Sequence, residues 1–196
     1  MSAKRTYELK ERAKRQEETR QRIVEATVEL HEEVGPAQTT VAEIARRAGV
    51  SRLTVYNHFP EDADLFAACS ASWIEANPQP DMSDALALQD PGERVRAVLG
   101  RLYPWYRGTE AMGANIRRDR LLLPALDARV SQTADAAEAA LRGALMAGFK
   151  MRGRRAARME ALVTVALDFW TWHRLKEQGL DDEEAAELMA DAVTAA

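Results

Sequence analysis

Apolar residues recur along this chain at intervals of three and four, and nowhere do they alternate with polar ones over the length of a strand. No Val, Ile or Thr run is bounded by Asn-Gly or Asp-Gly turns, so the expected fold class is all-α, with about nine helices. From Gln16 to Val34, the positions Ile23, Ala26, Thr27, Leu30 and Val34 form one apolar stripe, which Gly35-Pro36 ends. A helix from Pro60 to about Ala76 carries Leu65, Phe66, Cys69, Trp73 and Ile74 until Asn-Pro-Gln-Pro breaks it. Asp90-Pro91-Gly92-Glu93 opens the next, through Tyr106, with an acidic cap and proline in the first turn. Further helices are expected over Thr109 to Arg120, Asp127 to about Phe149, and Arg154 to Gln178, and Asp181-Asp182-Glu183-Glu184 caps a last one.

The segment TTVAEIARRAGVSRLTVYNHFP, Thr39 to Pro60, holds two short helices with a glycine between them. Thr40 and Glu43 have the spacing of a capping box. Val41, Ile44, Ala45 and Ala48 make a buried side, and Gly49 supplies the positive φ that a tight interhelical turn needs. Ser51 caps a second helix in which Val55 and Phe59 point inward, leaving Arg52, Leu53, Thr54, Tyr56, Asn57 and His58 wholly or partly outward. This is a helix-turn-helix whose second helix presents side chains suited to a DNA groove. Arg52 suits guanine or phosphate, Asn57 adenine, and Leu53 a thymine methyl. Thr40, Ser51, Thr54, Tyr56 and His58 are candidate phosphate donors. A packed helical hairpin with a polar surface would share each feature taken singly; the combination points to double-stranded DNA.

The stretch TTVAEIARRAGVSRLTVYNHFPEDADLF, with a basic helix before it, resembles the DNA-binding domain of the tetracycline-repressor (TetR) family of bacterial transcription regulators. The likeness covers about Gln16 to Phe66. It implies a cytoplasmic homodimeric repressor on a palindromic operator, released when a small apolar or aromatic effector in the C-terminal domain moves the fourth helix. On that reading residues 1–60 are the basic arm and DNA-binding domain. Residues 61–196 are the regulatory and dimerisation domain, with 61–76 as the connecting helix. One departure stands out: where family members commonly carry a phosphate-binding lysine after the Phe-Pro, this chain has Glu61-Asp62.

Charge adds an asymmetry. The 196-residue chain has a net charge of −4, yet residues 1–22 hold Lys4, Arg5, Lys10, Arg12, Lys14, Arg15, Arg20 and Arg22 against Glu8, Glu11, Glu17 and Glu18. Such an arm fits a polyanion at one end of the molecule; a solvated, partly disordered tail has the same composition.

The C-terminal half offers aromatic residues with a few polar atoms. Tyr103, Trp105, Tyr106, Met112, Asn115, Ile116, Phe149, Phe169, Trp172 and His173, with Trp73 from the connecting helix, are candidate ligand contacts, although an ordinary helical core is built alike. The helix from Arg154 has two apolar stripes. Leu162, Val163, Ala166 and Trp170, with Ala185, Leu188, Met189 and Ala192 of the last helix, are the expected homodimer interface; burial within one subunit is the alternative.

Other classes find little support. Three histidines (His31, His58, His173), the lone Cys69 and the lack of a Gly-rich phosphate loop leave no catalytic constellation, and nothing calls for a metal or cofactor. No apolar run reaches bilayer length, and Met1 to Arg22 lacks the apolar middle of a secretory signal.

Overall fold

A computed structural model describes the backbone of residues 2–195 and the side chains of residues 7–195. Lys4 and Arg5 of the basic arm lie outside the described side chains. In chain order the helices are α1 (Ser2–Glu33), α2 (Val41–Ala48), α3 (Arg52–His58), α4 (Asp62–Ala76), α5 (Ser83–Ala87), α6 (Pro91–Gly108), α7 (Glu110–Asp119), α8 (Pro124–Val130), α9 (Ala136–Met146), α10 (Gly153–Leu167), α11 (Phe169–Glu177) and α12 (Asp182–Thr194). A 3-10 turn, Pro36–Gln38, follows α1, and another, Arg120–Leu122, follows α7. The wider π turn Ser131–Asp135 joins α8 to α9, so the single rod expected there is continuous but locally unwound. The described residues are helical or loop, as the all-α expectation requires, and none of their helices is long and apolar enough to cross a membrane.

Two differences from the expected elements have plain causes. Helix α1 begins at Ser2 rather than near Gln16, because the arm is rich in Ala, Glu, Lys, Arg and Gln and contains neither Gly nor Pro. The helix expected over Arg154 to Gln178 is broken at Asp168. That residue is extended (φ −69°, ψ 130°), and its carboxylate accepts the Thr171 amide at 2.8 Å, which starts α11.

The chain divides into two compact units. The first comprises Met1–Asn77 and Ala114–Arg129, the second Pro78–Gly113 and Val130–Ala196, so the division passes after α4, inside α7 and at the end of α8.

In the first unit Ile23, Val24, Ala26 and Leu30 of α1 pack with Ile44, Ala45 and Ala48 of α2, Val55 of α3, Phe59, and Leu65 and Cys69 of α4. Burial pushes the Cys69 thiol up to about 12, leaving it neutral. The second half of α7 closes this unit at the end of α1. Asn115 donates from Nδ2 to the His31 and Glu32 carbonyls (3.0 and 2.8 Å), and Arg118 donates to the Val34 carbonyl at 3.0 Å. Asp119, almost fully buried, accepts the Ala37 amide at 2.9 Å and holds Arg118 at 2.6 Å. Carbonyls that a helix C-terminus leaves unpaired are thus met by side chains from far along the chain. Gly35 is required at this joint: its φ is 92°, and a Cβ there would collide with Arg118 Nη2 and Asp119 Oδ2. Burial raises the Asp119 pKa, but Arg118, the Ala37 amide and nearby His31 outweigh it and hold the carboxyl below the usual range. Burial lowers His31 to about 4, against a smaller upward pull from Asp119.

In the second unit α12 lies along α6, pinned by Arg96–Asp191 and Arg107–Asp182, each at 2.7 Å. Asp181 and Glu184 complete the reciprocal capping box that starts α12. Between α6 and α11 the rings of Tyr106, Phe169 and Trp172 meet with centroids 5.3 to 5.8 Å apart.

Candidate nucleic-acid interface

The turn between α2 and α3 is built from local codes. Thr40 accepts the Glu43 amide at 3.2 Å, but Glu43 does not reach back as a capping box would; its carboxylate takes the Arg46 guanidinium instead, with the Nε at 3.0 Å. Gly49 closes α2 at φ 67°, ψ 39°. The Val50 amide then donates to the Ala45 carbonyl at 2.9 Å, and Ser51 accepts the Thr54 amide at 3.1 Å to start α3. Val55 and Phe59 are 1% and 4% exposed, so the inward side of α3 is as expected.

The outward side is what remains. Arg52, Leu53, Tyr56 and Asn57 are exposed, Leu53 and Tyr56 by 68% and 53%, while Thr54 and His58 are half-buried. Among the described residues no hydrogen bond or ion pair engages the side chains of Arg52, Tyr56 or Asn57. The contrast with α2 is direct, since Arg47 is held by Glu33 through two bonds of 2.6 and 2.7 Å. A seven-residue helix that leaves Leu53 and Tyr56 in water, beside an unengaged arginine and amide, presents side chains of the kinds that read base edges. Thr40 and Ser51 stand at the N-caps of α2 and α3, where exposed hydroxyls and nearby amides suit phosphate oxygens.

By sequence the arm is one cationic stretch, but two of its arginines serve the fold. Arg20 lies over the Phe59 ring at 4.9 Å, and Arg22 donates to the Ala48 carbonyl at 3.1 Å, the free end of α2. At the start of α4, Glu61 and Asp62 are exposed and favour the positive end of the helix, in place of a phosphate-binding lysine.

The candidate ligand contacts fall into different surroundings. Trp73, Asn115 and Ile116 belong to the first unit and are half-buried, with Asn115 engaged on α1. Tyr103, Tyr106, Met112, Phe169 and Trp172 are buried in the second unit. There the Tyr103 and Tyr106 hydroxyls donate to the Ala166 and Leu167 carbonyls (2.8 and 2.7 Å), and burial pushes the Tyr103 phenol up. Trp172 Nε1 donates to Asp182 at 2.9 Å. Half-buried Trp105 stacks near Tyr106, half-buried Phe149 follows α9, and His173 lies 3.3 Å from Glu110.

The candidate dimer residues divide between the protomer's core and its surface. Val163, Ala166, Ala185 and Met189 are buried inside the protomer, because α10 turns Met159, Val163, Ala166 and Leu167 inward together. Leu162 is half-buried; Trp170, Leu188 and Ala192 are exposed, and Ala161 and Val165 join them as outward apolar positions.

Residues 23–69 match the model of the family described as bacterial regulatory proteins, tetR family. The chain is similar to the HTH-type transcriptional regulator AcrR of Shigella flexneri, 41% identical over 51 residues, which cover 26% of this chain and 24% of the relative. The match therefore spans about a quarter of that relative's length. Its fold resembles that of a TetR-like transcriptional regulator from Rhodococcus sp. RHA1, with TM-score 0.60 at 19% identity over 89% of this chain and 93% of that one. It also resembles the multidrug binding protein EbrR complexed with imidazole, with TM-score 0.53 at 24% identity over 88% of each. Residues 23–69 therefore carry the helix-turn-helix domain of the tetR family of bacterial regulatory proteins.

Proposed function

We propose that this protein is a sequence-specific DNA-binding transcriptional regulator that acts as a homodimer on a palindromic operator, as a repressor. The observation that carries the reading is the outward face of α3: Arg52, Leu53, Tyr56 and Asn57 are exposed on a helix whose other side is locked into the core. A dimer is supported by Val165 (47% exposed), Trp170 (38%) and Leu188 (50%), which with Ala161 and Ala192 give α10 to α12 an outward apolar set. Two-fold symmetry would place two reading helices about 34 Å, one turn of DNA, apart.

Release by a small apolar or aromatic molecule is the second part of the reading. EbrR, described as a multidrug binding protein, offers a precedent on a similar fold. The ring cluster of the second unit supplies the surface, but its hydroxyl and indole donors are already engaged, so an effector there has to displace internal bonds. This favours a scarce, selective effector, or a regulator that works without one.

Titrating fluorescent duplex from the gene's own upstream region, with a shuffled duplex as control, tests the central claim. Tight binding to the first and salt-sensitive weak binding to both is expected. Equal affinity for the two duplexes would sink it. Val165→Glu with Leu188→Glu should turn the sedimenting species from dimer to monomer.

A further inference from the structure

We propose that the N-terminal extension of α1 is a rigid wall of the DNA site: with α3 it forms a channel for one sugar-phosphate strand. The inference rests on the DNA-binding reading above. Between the two helices lies a groove of about 660 Å³, lined by Tyr7, Glu8, Glu11, Arg12, Arg15, Gln16 and Thr19 of α1 and by Thr54 and His58 of α3. On α1 the residues Glu8, Arg12, Arg15 and Thr19 follow at i, i+4, i+7 and i+11, which is a single helix face. On α3, Thr54 and His58 stand one turn apart. The groove exists because α1 continues unbroken past the core that begins at Ile23.

The arm's cations divide by use. Arg20 and Arg22 are engaged in the fold, and Lys14 has Glu18 at 3.9 Å. Lys10, Arg12 and Arg15 are exposed and, among the described residues, have no ion-pair partner; of these, Arg12 and Arg15 line the groove. Their guanidinium forks match phosphate oxygens, and Tyr7, Gln16, Thr19, Thr54 and His58 add neutral or titratable donors around them. The occupant follows from position as well as charge. Arg52, Leu53 and Asn57, on the same short α3, are the groove-reading candidates, so a backbone strand has to pass close beside them. Glu8 and Glu11 line the same groove, four residues before Arg12 and Arg15 but not ion-paired with them. They weaken the groove's pull on any polyanion, and neutralising them should strengthen binding.

The test compares the salt dependence of upstream-duplex binding for the unmodified protein and three variants. Arg12→Ala with Arg15→Ala should flatten the log–log slope by about 0.9 for each phosphate that is no longer neutralised, in both halves of the dimer. Ala13→Pro removes no charge but interrupts the helix, and should flatten the slope in the same way. Glu8→Gln with Glu11→Gln should raise affinity on specific and shuffled DNA alike. Thermal melting checks that the core beyond Ile23 is intact in each. A wild-type slope for Ala13→Pro, beside a reduced one for the arginine pair, shows a flexible tail and overturns the rigid channel while leaving DNA binding in place. Wild-type slopes in all three variants, as for a groove that holds a small molecule, overturn it too. Failure of the unmodified protein to bind any duplex removes the underlying reading itself.

Discussion

Helix α3 and the ring cluster around Trp172 use side chains in opposite ways. On α3 the groups with most chemistry, the Arg52 guanidinium, the Asn57 amide and the Tyr56 phenol, are exposed and engage nothing among the described residues. Around Trp172 the rings are buried, both tyrosine hydroxyls donate to backbone carbonyls, and the indole donates to Asp182. Asp182 is in turn gripped by Arg107 at 2.7 and 2.9 Å. The lesson concerns which region can change its partner. A buried donor that loses its acceptor leaves an unsatisfied group, whereas an exposed donor exchanges only water. The groups that hold the fold and the groups left exchangeable are therefore different residues.

The largest effect is expected where this separation is attacked in the cluster. Trp172→Ala removes the ring, the Asp182 bond and the packing on Tyr106 and Phe169, and should cost about 3–5 kcal/mol in chemical denaturation. A loss below about 1 kcal/mol would mean that the rings are not the unit's support. Acidification should come next. His31 takes a proton near 6.5 when unfolded but only near 4 when folded, so between those values protonation favours unfolding, and stability falls as pH drops. The shift corresponds to on the order of 3 kcal/mol between the two limits, and the neighbouring charges are Asp119 and Arg118. His31→Leu should flatten denaturation free energy across that window; an unchanged pH dependence would assign it to other groups.

Smaller changes sharpen the other side. Asn57→Ala or Arg52→Ala should leave stability within about 0.5 kcal/mol and remove about 1–3 kcal/mol of discrimination at particular base pairs. Equal losses on specific and shuffled DNA would take the residue out of base readout. Tyr103→Phe is the mildest: the melt should shift by about 1 kcal/mol with DNA affinity unchanged. A larger change in affinity than in stability would tie the cluster to recognition after all.

The same contrast explains how much is legible before folding. The reading head is specified by neighbours in sequence: Thr40 and Ser51 cap, Gly49 turns, and Val55 and Phe59 sit one turn apart. The features that sequence does not reveal depend on distant partners or on local competition. Asn115 and Asp119 are polar residues whose acceptors and donors lie more than eighty positions away, so no spacing rule reaches them. Glu43 has two possible partners and takes Arg46. Asp168 sits within a continuous apolar pattern, and only its carboxylate on the Thr171 amide reveals the break before α11. On α10 apolar residues occupy both faces, so periodicity alone leaves open whether Val163 or Val165 meets solvent.

The joint at Gly35 bears on how the reading head could be transplanted. Since Ala114–Arg129 belongs to the same compact unit as Met1–Asn77, a chimera made by cutting after α4 leaves part of the unit behind. The His31, Glu32 and Val34 carbonyls would lose their donors, and the Ala37 amide its acceptor, at the end of the helix that supports α2 and α3. Such a graft would carry α3 on a loosened frame. A portable version has to bring the second half of α7 with it, or replace the turn at Gly35 with one whose polar groups meet water.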